Sequence, residues 1–183
     1  MKTNVPLARA LRLVNPGPLV LVTARYKDRL NVMPAAWVVP LSKAPLLVGV
    51  AIHPARFTHE LVHRSQQFAL NVPGRPLAEA VVQLGSTSGR NVDDKLTSVG
   101  FTLAEPQQTN APLIEQCLAW LECAVVNEVE VGDHTLFVGQ VLAARAEQEA
   151  FDETWRLTDE ETKPLHHLGS DVFATLSEPF NVR

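Results

Sequence analysis

Two histidines four residues apart are the first group that could carry chemistry. The segment His59-Glu60-Leu61-Val62-His63 matches the His-Glu-x-x-His pattern, in which helical spacing places two imidazoles on one face to bind zinc while the glutamate acts as a base. A zinc protease needs this pattern inside a longer helix with a third ligand downstream, whereas only about two turns fit before Ser65. We favour a solvated helix face and keep a zinc hydrolase as the distant alternative.

The segment before these histidines has the features of an anion site. His53-Pro54-Ala55-Arg56-Phe57-Thr58 lies where an apolar run ends and a helix begins, and the first turn of a helix presents unpaired N–H groups at the positive end of its dipole. Arg56 adds a bidentate donor for a phosphate, and Thr58 adds a hydroxyl. The competing interpretation is a surface arginine followed by a capping threonine.

A loop of small residues, 85–95, is the second candidate for phosphate binding. Its glycines and serines, with Ser88 and Gly89 at the centre, let backbone amides approach a ligand, and Arg90 and Lys95 add positive charge. Lys95 is not placed as a Walker sequence requires. Taken alone, the loop is typical of a flexible connection.

A third candidate surface combines an amide, a thioether, a small side chain and an indole. Asn31, Met33, Ala35 and Trp37 alternate, so they share one face if the segment is a strand. That face, with Ser42 further along, could border a flat aromatic ligand, because the indole offers contact area and small residues leave room. Ordinary core packing is the competing interpretation.

Elements that could position these residues can be predicted from the apolar pattern. Strands are predicted over 18–24, 30–39, 46–52 and 68–72. A short helix follows Arg56, with Thr58 as its N-cap and an apolar stripe of Phe57, Leu61 and Val62. A second helix covers 76–84 with Gly85 just past its end, and a third opens at Asn91.

The second half of the chain shows the clearest alternation. Leu121, Cys123, Val125, Val129 and Val131 fall on one face and Glu122, Glu128 and Glu130 on the other, which predicts a half-exposed strand. This strand meets 135–141 across Gly132-Asp133, a pair suited to a tight hairpin turn. Hairpins with few helices and no βαβ alternation favour a closed or nearly closed antiparallel barrel.

Length and composition exclude several classes of protein. With 183 residues, 46% of them hydrophobic, the chain is predicted to form one domain over 1–183. A net charge of -4 gives no basic surface for nucleic acid. No apolar run approaches the roughly 20 residues that cross a bilayer, and no leader is recognisable, so we expect a cytoplasmic protein. Cys117 and Cys123 are expected to be core thiols.

Taken together, these segments resemble the flavin reductase-like family, its flavoredoxin branch in particular, in order and spacing. One departure is Leu84-Gly85, where many relatives carry Cys-Gly before the loop. The matching motifs are Asn31-Val32-Met33 with Ala36-Trp37, Pro40-Leu41-Ser42, Pro45-Leu46, Pro54-Ala55-Arg56-Phe57-Thr58, Phe68-Ala69-Leu70-Asn71-Val72-Pro73, Ser88-Gly89-Arg90-Asn91-Val92-Asp93-Asp94-Lys95, Gly132-Asp133-His134-Thr135-Leu136-Phe137-Val138-Gly139 and Leu165-His166-His167-Leu168-Gly169.

The resemblance implies a mainly β, Greek-key split barrel with a few short helices, a homodimer, and FMN near the subunit interface. The residues from about 150 to 183 would then be an extension or dimer arm. The implied contacts fall into a phosphate group and a ring group. The phosphate group is Arg56, Thr58, Ser88, Gly89 and Arg90, and the ring group is Asn31, Met33, Ala35, Ala36, Trp37 and Ser42, with Asn71 and Lys95 as polar contacts.

Three functions remain open at this point. The first is an NAD(P)H-dependent flavin or ferric reductase that passes electrons through FMN to a small-molecule or protein acceptor. Lys95 would then stabilise reduced flavin, with His134 or His167 on the nicotinamide side, although a turn residue is the simpler interpretation of His134. The second is an FMN electron carrier without nicotinamide activity, and the third is the zinc hydrolase.

Overall fold

Strands dominate the computed structural model, which describes residues 6–14, 17–92, 95–180 and 182. The strands are β1 (Val20–Tyr26), β2 (Arg29–Ala35), β3 (Val38–Lys43), β4 (Leu46–Ile52), β5 (Gln67–Val72), β6 (Leu103–Ala104), β7 (Leu113–Ile114), β8 (Ala119–Val131), β9 (His134–Ala146), β10 (Leu165–Gly169) and β11 (Val172–Thr175). The α-helices are α1 (Leu7–Ala10), α2 (Phe57–Ser65) and α3 (Ala78–Ser86), and single 3₁₀ turns cover Leu11–Leu13, Arg75–Leu77, Thr97–Val99 and Glu160–Thr162.

Seven strands form one antiparallel sheet in the order β2-β1-β5-β8-β9-β4-β3. The two edge strands, β2 and β3, follow each other in the chain, yet no ladder between them closes the sheet. The prediction of a mainly β split barrel with few helices is therefore confirmed, with the opening between β2 and β3. None of the helices in the described ranges is long and apolar enough to span a membrane.

Strand β1 is buried on both faces, because it separates two layers of core. Val20 and Val22 point into a cluster that α2 covers with Leu61 and Val62. Leu21 points the other way, into a second cluster that includes residues of α3. Alternate side chains of a strand face opposite sides, so a continuous apolar run is what this position requires.

The predicted strand over 30–39 is two strands, and this prediction was wrong in its extent. Strand β2 pairs with β1, whereas β3 pairs with β4 at the far edge of the sheet. The chain must cross the opening between them, and Ala36 and Trp37 make that crossing. Trp37 therefore lies beyond the end of β2 and is 42% exposed.

Three helix predictions need correction. Arg56 has extended dihedrals and precedes the helix as its N-cap, so Thr58 lies inside the first turn of α2. Gly85 lies within α3 and not past its end. No helix begins at Asn91 in the described part of the chain: its N–H closes a turn onto the Ser88 carbonyl at 3.1 Å. Asp93 and Asp94, predicted to follow it, lie outside the described residues.

The alternation predicted for β8 holds only in part. The hairpin turn is confirmed, with Gly132 at φ 60, but the register with β9 shifts near Glu122 and again near Asn127. The second shift inserts Val126 as an extra residue in β8 and changes which face the residues after it occupy, and Val131 is 56% exposed. The first shift inserts Leu142 in β9 and leaves the alternation of β8 unchanged. Glu122 is only 1% exposed because residues 107–109 cover it and donate their N–H groups to its carboxylate.

Both cysteines are buried free thiols, as predicted. Burial raises the pKa of Cys117 far above its usual range. Burial, aided by the nearby charge of Glu122, raises the pKa of Cys123 to about 12. Thiols with such pKa values are not nucleophiles near neutral pH, so redox chemistry at either cysteine is disfavoured.

Candidate functional site

Two adjoining cavities open beside the N-terminus of α2. The smaller has a volume of about 240 Å³ and the larger about 770 Å³. Their linings share residues of β2, of the start of α2 and of the end of α3, so they form one continuous groove. The shared residues are Met33, Pro34, Arg56, Gly85 and Ser86.

The smaller cavity, which we call the cradle, collects polar and cationic groups. Arg56 stands at the N-cap of α2, so the N–H groups of Phe57 and Thr58 begin the helix without partners in a preceding turn. The helix dipole adds positive potential at this end. Seven of the predicted cofactor contacts meet here: Asn31, Met33, Arg56, Thr58, Ser88, Gly89 and Lys95.

Asn31 lines the cradle, and only one of the two polar atoms of its side-chain amide has a hydrogen-bond partner among the described residues. Its Nδ2 donates to the hydroxyl of Thr58 at 2.8 Å, whereas its buried Oδ1 has no hydrogen-bond partner among the described residues. A Cβ added to Gly89 would lie only 2.0 Å from this oxygen, so glycine is what allows the loop to come so close. A buried acceptor without a donor costs roughly 1–3 kcal/mol, which a ligand that donates to Oδ1 would recover.

Lys95 brings a second cation to the cradle. Its ammonium donates to the Val32 carbonyl at 2.9 Å and the residue is only 7% exposed. Burial, and secondly the charge of Arg56, lower the pKa of Lys95 to about 8. Two cations that disfavour each other are stabilised by an anion between them, so the cradle is built for a phosphate or carboxylate.

The larger cavity has an apolar part and a polar end. Its apolar part includes Ala35 at the end of β2, Ala36 directly after it, Val81 of α3 and Phe173 of β11. The polar end contains Trp37 and the histidines His53 and His134. Ligand cavities commonly combine a mostly apolar wall with a few fixed polar groups, and a flat aromatic ligand suits these walls.

Trp37, His53 and His134 form an aromatic cluster at this polar end. The Trp37 and His134 ring centroids are 4.6 Å apart, and the His53 ring meets the His134 ring edge-on at 5.2 Å. His53 follows β4 directly and His134 begins β9, so the neighbouring strands β4 and β9 hold both rings.

The C-terminal hairpin β10–β11 supplies the outer wall of the larger cavity. His167 lines it and donates from Nε2 to the Ser170 carbonyl at 2.8 Å. The hairpin is anchored to the sheet by Leu165, whose carbonyl accepts from the Leu19 N–H at 2.9 Å. The segment predicted as an extension therefore forms part of the groove.

Three predicted cofactor contacts lie outside the groove. Asn71 is fully buried: its amide donates to the Leu21 carbonyl at 2.9 Å and its Oδ1 accepts from the Ile114 N–H at 2.8 Å. Arg90 is paired with Glu60 at 2.8 Å on the outer side of α2. The Ser42 hydroxyl accepts from the Ala44 N–H in the β3–β4 turn. Each side chain already has a structural role.

The two histidines of the zinc pattern also have protein partners. His59 Nε2 lies 2.9 Å from the Thr135 hydroxyl, and His63 Nδ1 lies 2.7 Å from Glu128. Burial, and secondly the charge of His63, lower the pKa of His59. Within the described ranges, no group of three or more His, Cys, Asp or Glu side chains is arranged to hold a metal ion.

Several lining residues were not predicted from the sequence. Pro34, Val81 and Val82 are ordinary apolar residues, and Ser170 and Asp171 occupy the turn of the C-terminal hairpin. Of these two groups, only the hairpin turn had a signal in the sequence, which was the neighbouring His166-His167 pair. The segment 53–58 was recognised as an anion site, but His53 was not recognised as a wall of the larger cavity.

A polar cradle with two cations, continuous with a cavity for a flat ring, defines a protein that binds a phosphate-bearing aromatic cofactor or substrate. Comparisons with known proteins agree with this class. The flavin reductase like domain matches residues 12–173. The chain therefore belongs to the flavin reductase-like family.

Relatives and solved structures extend this result. An uncharacterised Archaeoglobus fulgidus protein is 46% identical over 63% of this chain, and the match spans 64% of that protein. An uncharacterised Escherichia coli protein is 34% identical over 93% of both chains. Among solved structures, an FMN-binding protein from Thermus thermophilus, crystallised with bound 1-cyclohex-2-enone, shares 30% sequence identity with this chain. The two structures superpose with a TM-score of 0.83, covering 100% of this chain and 98% of the other.

Proposed function

We propose that the chain binds FMN along the groove and acts as an oxidoreductase that takes electrons from NADH or NADPH and passes them through FMN to an acceptor. The observation that carries the proposal is the cradle, where one cavity holds two cations, a helix N-terminus and a buried acceptor that has no partner among the described residues. Support comes from the family and from the 30% identical FMN-binding protein of Thermus thermophilus.

The residues of the groove fit the three parts of FMN. The phosphate would be held by Arg56, Lys95 and the first N–H groups of α2, as charge-assisted hydrogen bonds favour. The polyol chain would donate to Oδ1 of Asn31. The ring would lie in the larger cavity, against the segment from Met33 to Trp37.

The mechanism assigns positioning and shielding to this chain's residues. FMN supplies the redox chemistry when bound. Lys95 lines the cradle and not the larger cavity. We therefore assign it to phosphate binding, in place of the role in stabilising reduced flavin that the sequence analysis gave it. The apolar walls from Ala35 and Val81 exclude water, and His53, His134 and His167 provide the polar groups available to a nicotinamide.

The function is tested with the absorption spectrum of purified protein before and after anaerobic NADH or NADPH. We expect a yellow protein, or one that becomes yellow with added FMN, whose visible absorbance is lost on adding a nicotinamide donor. A yellow protein that neither donor reduces would indicate the electron carrier instead. A colourless protein that binds no FMN but holds stoichiometric zinc would support the hydrolase.

We further propose that the protein is a homodimer whose interface includes the outer face of β3, β4 and β9. On this face Val39 and Leu41 are 46% and 43% exposed, and Leu41 lies over Gly49 next to Leu136. Exposed apolar surfaces of this kind mark interaction sites. Trp37, also 42% exposed, joins this face to the larger cavity, so a second copy would cover the open side of the ligand site.

The dimer is tested by sedimentation equilibrium. The wild type is expected at twice the chain mass of 20.1 kDa, and Leu41→Glu is expected to shift it toward the monomer because the charge would be buried in the interface. Leu103→Glu, a comparable change at an exposed leucine of β6, serves as the control. A monomeric wild type would contradict the proposal.

A further inference from the structure

The groove carries positive charge in the cradle and negative charge on the C-terminal hairpin. Arg56 and Lys95 supply the positive charge. Asp171, in the turn between β10 and β11, is the only acidic side chain among the described residues that line either cavity. Its carboxylate has no hydrogen-bond or salt-bridge partner in the described part of the chain, so no neighbouring side chain neutralises this charge.

The hairpin turn fixes the position of Asp171. Ser170 and Asp171 connect the paired residues Gly169 and Val172, and Ser170 has a left-handed backbone conformation with φ 52. The Ser170 carbonyl accepts from the ring of His167 at 2.8 Å, and this ring also packs against Phe173 of β11 with centroids 5.4 Å apart. The turn is therefore held by its own hairpin, which keeps the carboxylate beside the cavity.

Apolar side chains line the larger cavity where α3 and this hairpin meet. Leu19, Val81 and Phe173 all line the cavity, and the same three residues pack together in the second core cluster. Val82 of α3 adds a further apolar side chain to the lining. An apolar wall favours a ligand that loses few hydrogen bonds to water on binding, and a carboxylate repels an anion. Both features therefore select an uncharged, apolar ligand.

We propose that the electron acceptor is a small uncharged aromatic molecule of the quinone class, which binds between α3 and the β10–β11 hairpin, and that Asp171 excludes anionic acceptors. In the net reaction NADH or NADPH loses a hydride, which is two electrons and one proton. Solvent supplies a second proton, and the quinone becomes the hydroquinone. This inference rests on the proposed function, because it names the acceptor of that same groove.

The test compares two acceptors that share a ring system, 1,4-naphthoquinone and its 2-sulfonate, which differ by one negative charge. With the nicotinamide donor at saturation, kcat/KM for each acceptor is measured in wild type and in Asp171→Asn. Asp28→Asn, which removes the same charge from the exposed β1–β2 turn outside both cavities, is the matched control. The ratio of sulfonate to neutral quinone is internal to one variant, so differences in enzyme quality and in the reactivity of the two quinones cancel between variants.

In Asp171→Asn we expect the ratio of sulfonate to neutral quinone to rise by about three- to tenfold, the effect of one nearby unit charge in a cavity open to water. The rise should disappear in about 1 M salt, where the Debye length is about 3 Å. A ratio equal to that of Asp28→Asn, or a rise that persists in high salt, would overturn the role of Asp171. A wild type that oxidises the nicotinamide but reduces neither quinone would overturn the acceptor class alone. A wild type that oxidises neither NADH nor NADPH with any acceptor would overturn the proposed function as well.

Discussion

Replacing Arg56 with alanine should weaken FMN binding by about 10- to 100-fold, because a hydrogen bond to a charged group contributes roughly 1.5–3 kcal/mol. Arg56 lines both cavities of the groove, and it is the cation at the N-cap of α2. Riboflavin lacks the phosphate, so its affinity should change little. Titration of both flavins by fluorescence quenching measures the two effects separately.

The control for this change lies on the same helix. Arg64 is a surface arginine paired with Glu60 and lines neither cavity, so Arg64→Ala should leave both affinities near those of the wild type. If Arg56→Ala lowered the affinities for FMN and riboflavin equally, the arginine would contact the ring or support the fold, and would not bind the phosphate. An unchanged FMN affinity would show that the phosphate is held elsewhere.

Two parts of the cradle had a local signal in the sequence, although only the family resemblance predicted that they meet at one ligand. Arg56 and Thr58 stand at the start of a helix, and Ser88 and Gly89 in a loop of small residues. Both features follow from local sequence alone, through helix termini and backbone approach. The close contact of Gly89 with Asn31 required the fold, since these residues are far apart in the chain.

Side chains whose partners are distant in sequence were harder to predict. Asn71 lies in a conspicuous motif, yet its amide holds β5 to β1 and to the Ile114 N–H. Nothing in its immediate sequence distinguishes a core amide from a ligand contact. The C-terminal hairpin reaches the groove because Leu165 anchors it beside Leu19, a tertiary contact that no periodicity indicates.

The barrel itself was predictable, whereas its bulges were not. Alternating apolar residues and the Gly132-Asp133 turn predicted the β8–β9 hairpin correctly. The same alternation placed Glu122 with Glu128 and Glu130 on a solvated face, which is wrong for Glu122. Glu122 lies on the predicted face, but residues 107–109 cover it, a tertiary contact that a two-residue period cannot indicate. The extra residue Val126 changes the alternation only after Glu122, and its position depends on the partner strand.

Glu122 is instead a buried anchor, and Glu122→Gln should lower the free energy of unfolding by roughly 1.5–3 kcal/mol. Its carboxylate accepts the N–H groups of Gln107, Gln108 and Thr109 at 2.7–3.0 Å. Glutamine keeps the size but replaces one accepting oxygen with an NH₂ group that faces these donors. For a chain of this size, each kcal/mol lowers Tm by about 2–4 °C, which thermal unfolding would measure. Glu130→Gln, on the exposed end of the same strand, should leave Tm nearly unchanged.

The pH dependence of this difference separates a charged anchor from simple packing. Burial alone would raise the pKa of Glu122, but the three backbone N–H groups and the Thr109 hydroxyl outweigh it and lower the pKa below the usual 4.5. A lowered native pKa contributes stability that is fully present above the unfolded pKa and is lost as the pH falls through the native value. The Tm gap between wild type and Glu122→Gln should therefore be constant near neutral pH and shrink below pH 4.5. A gap that persisted in acid would mean that shape, and not charge, accounts for the anchor.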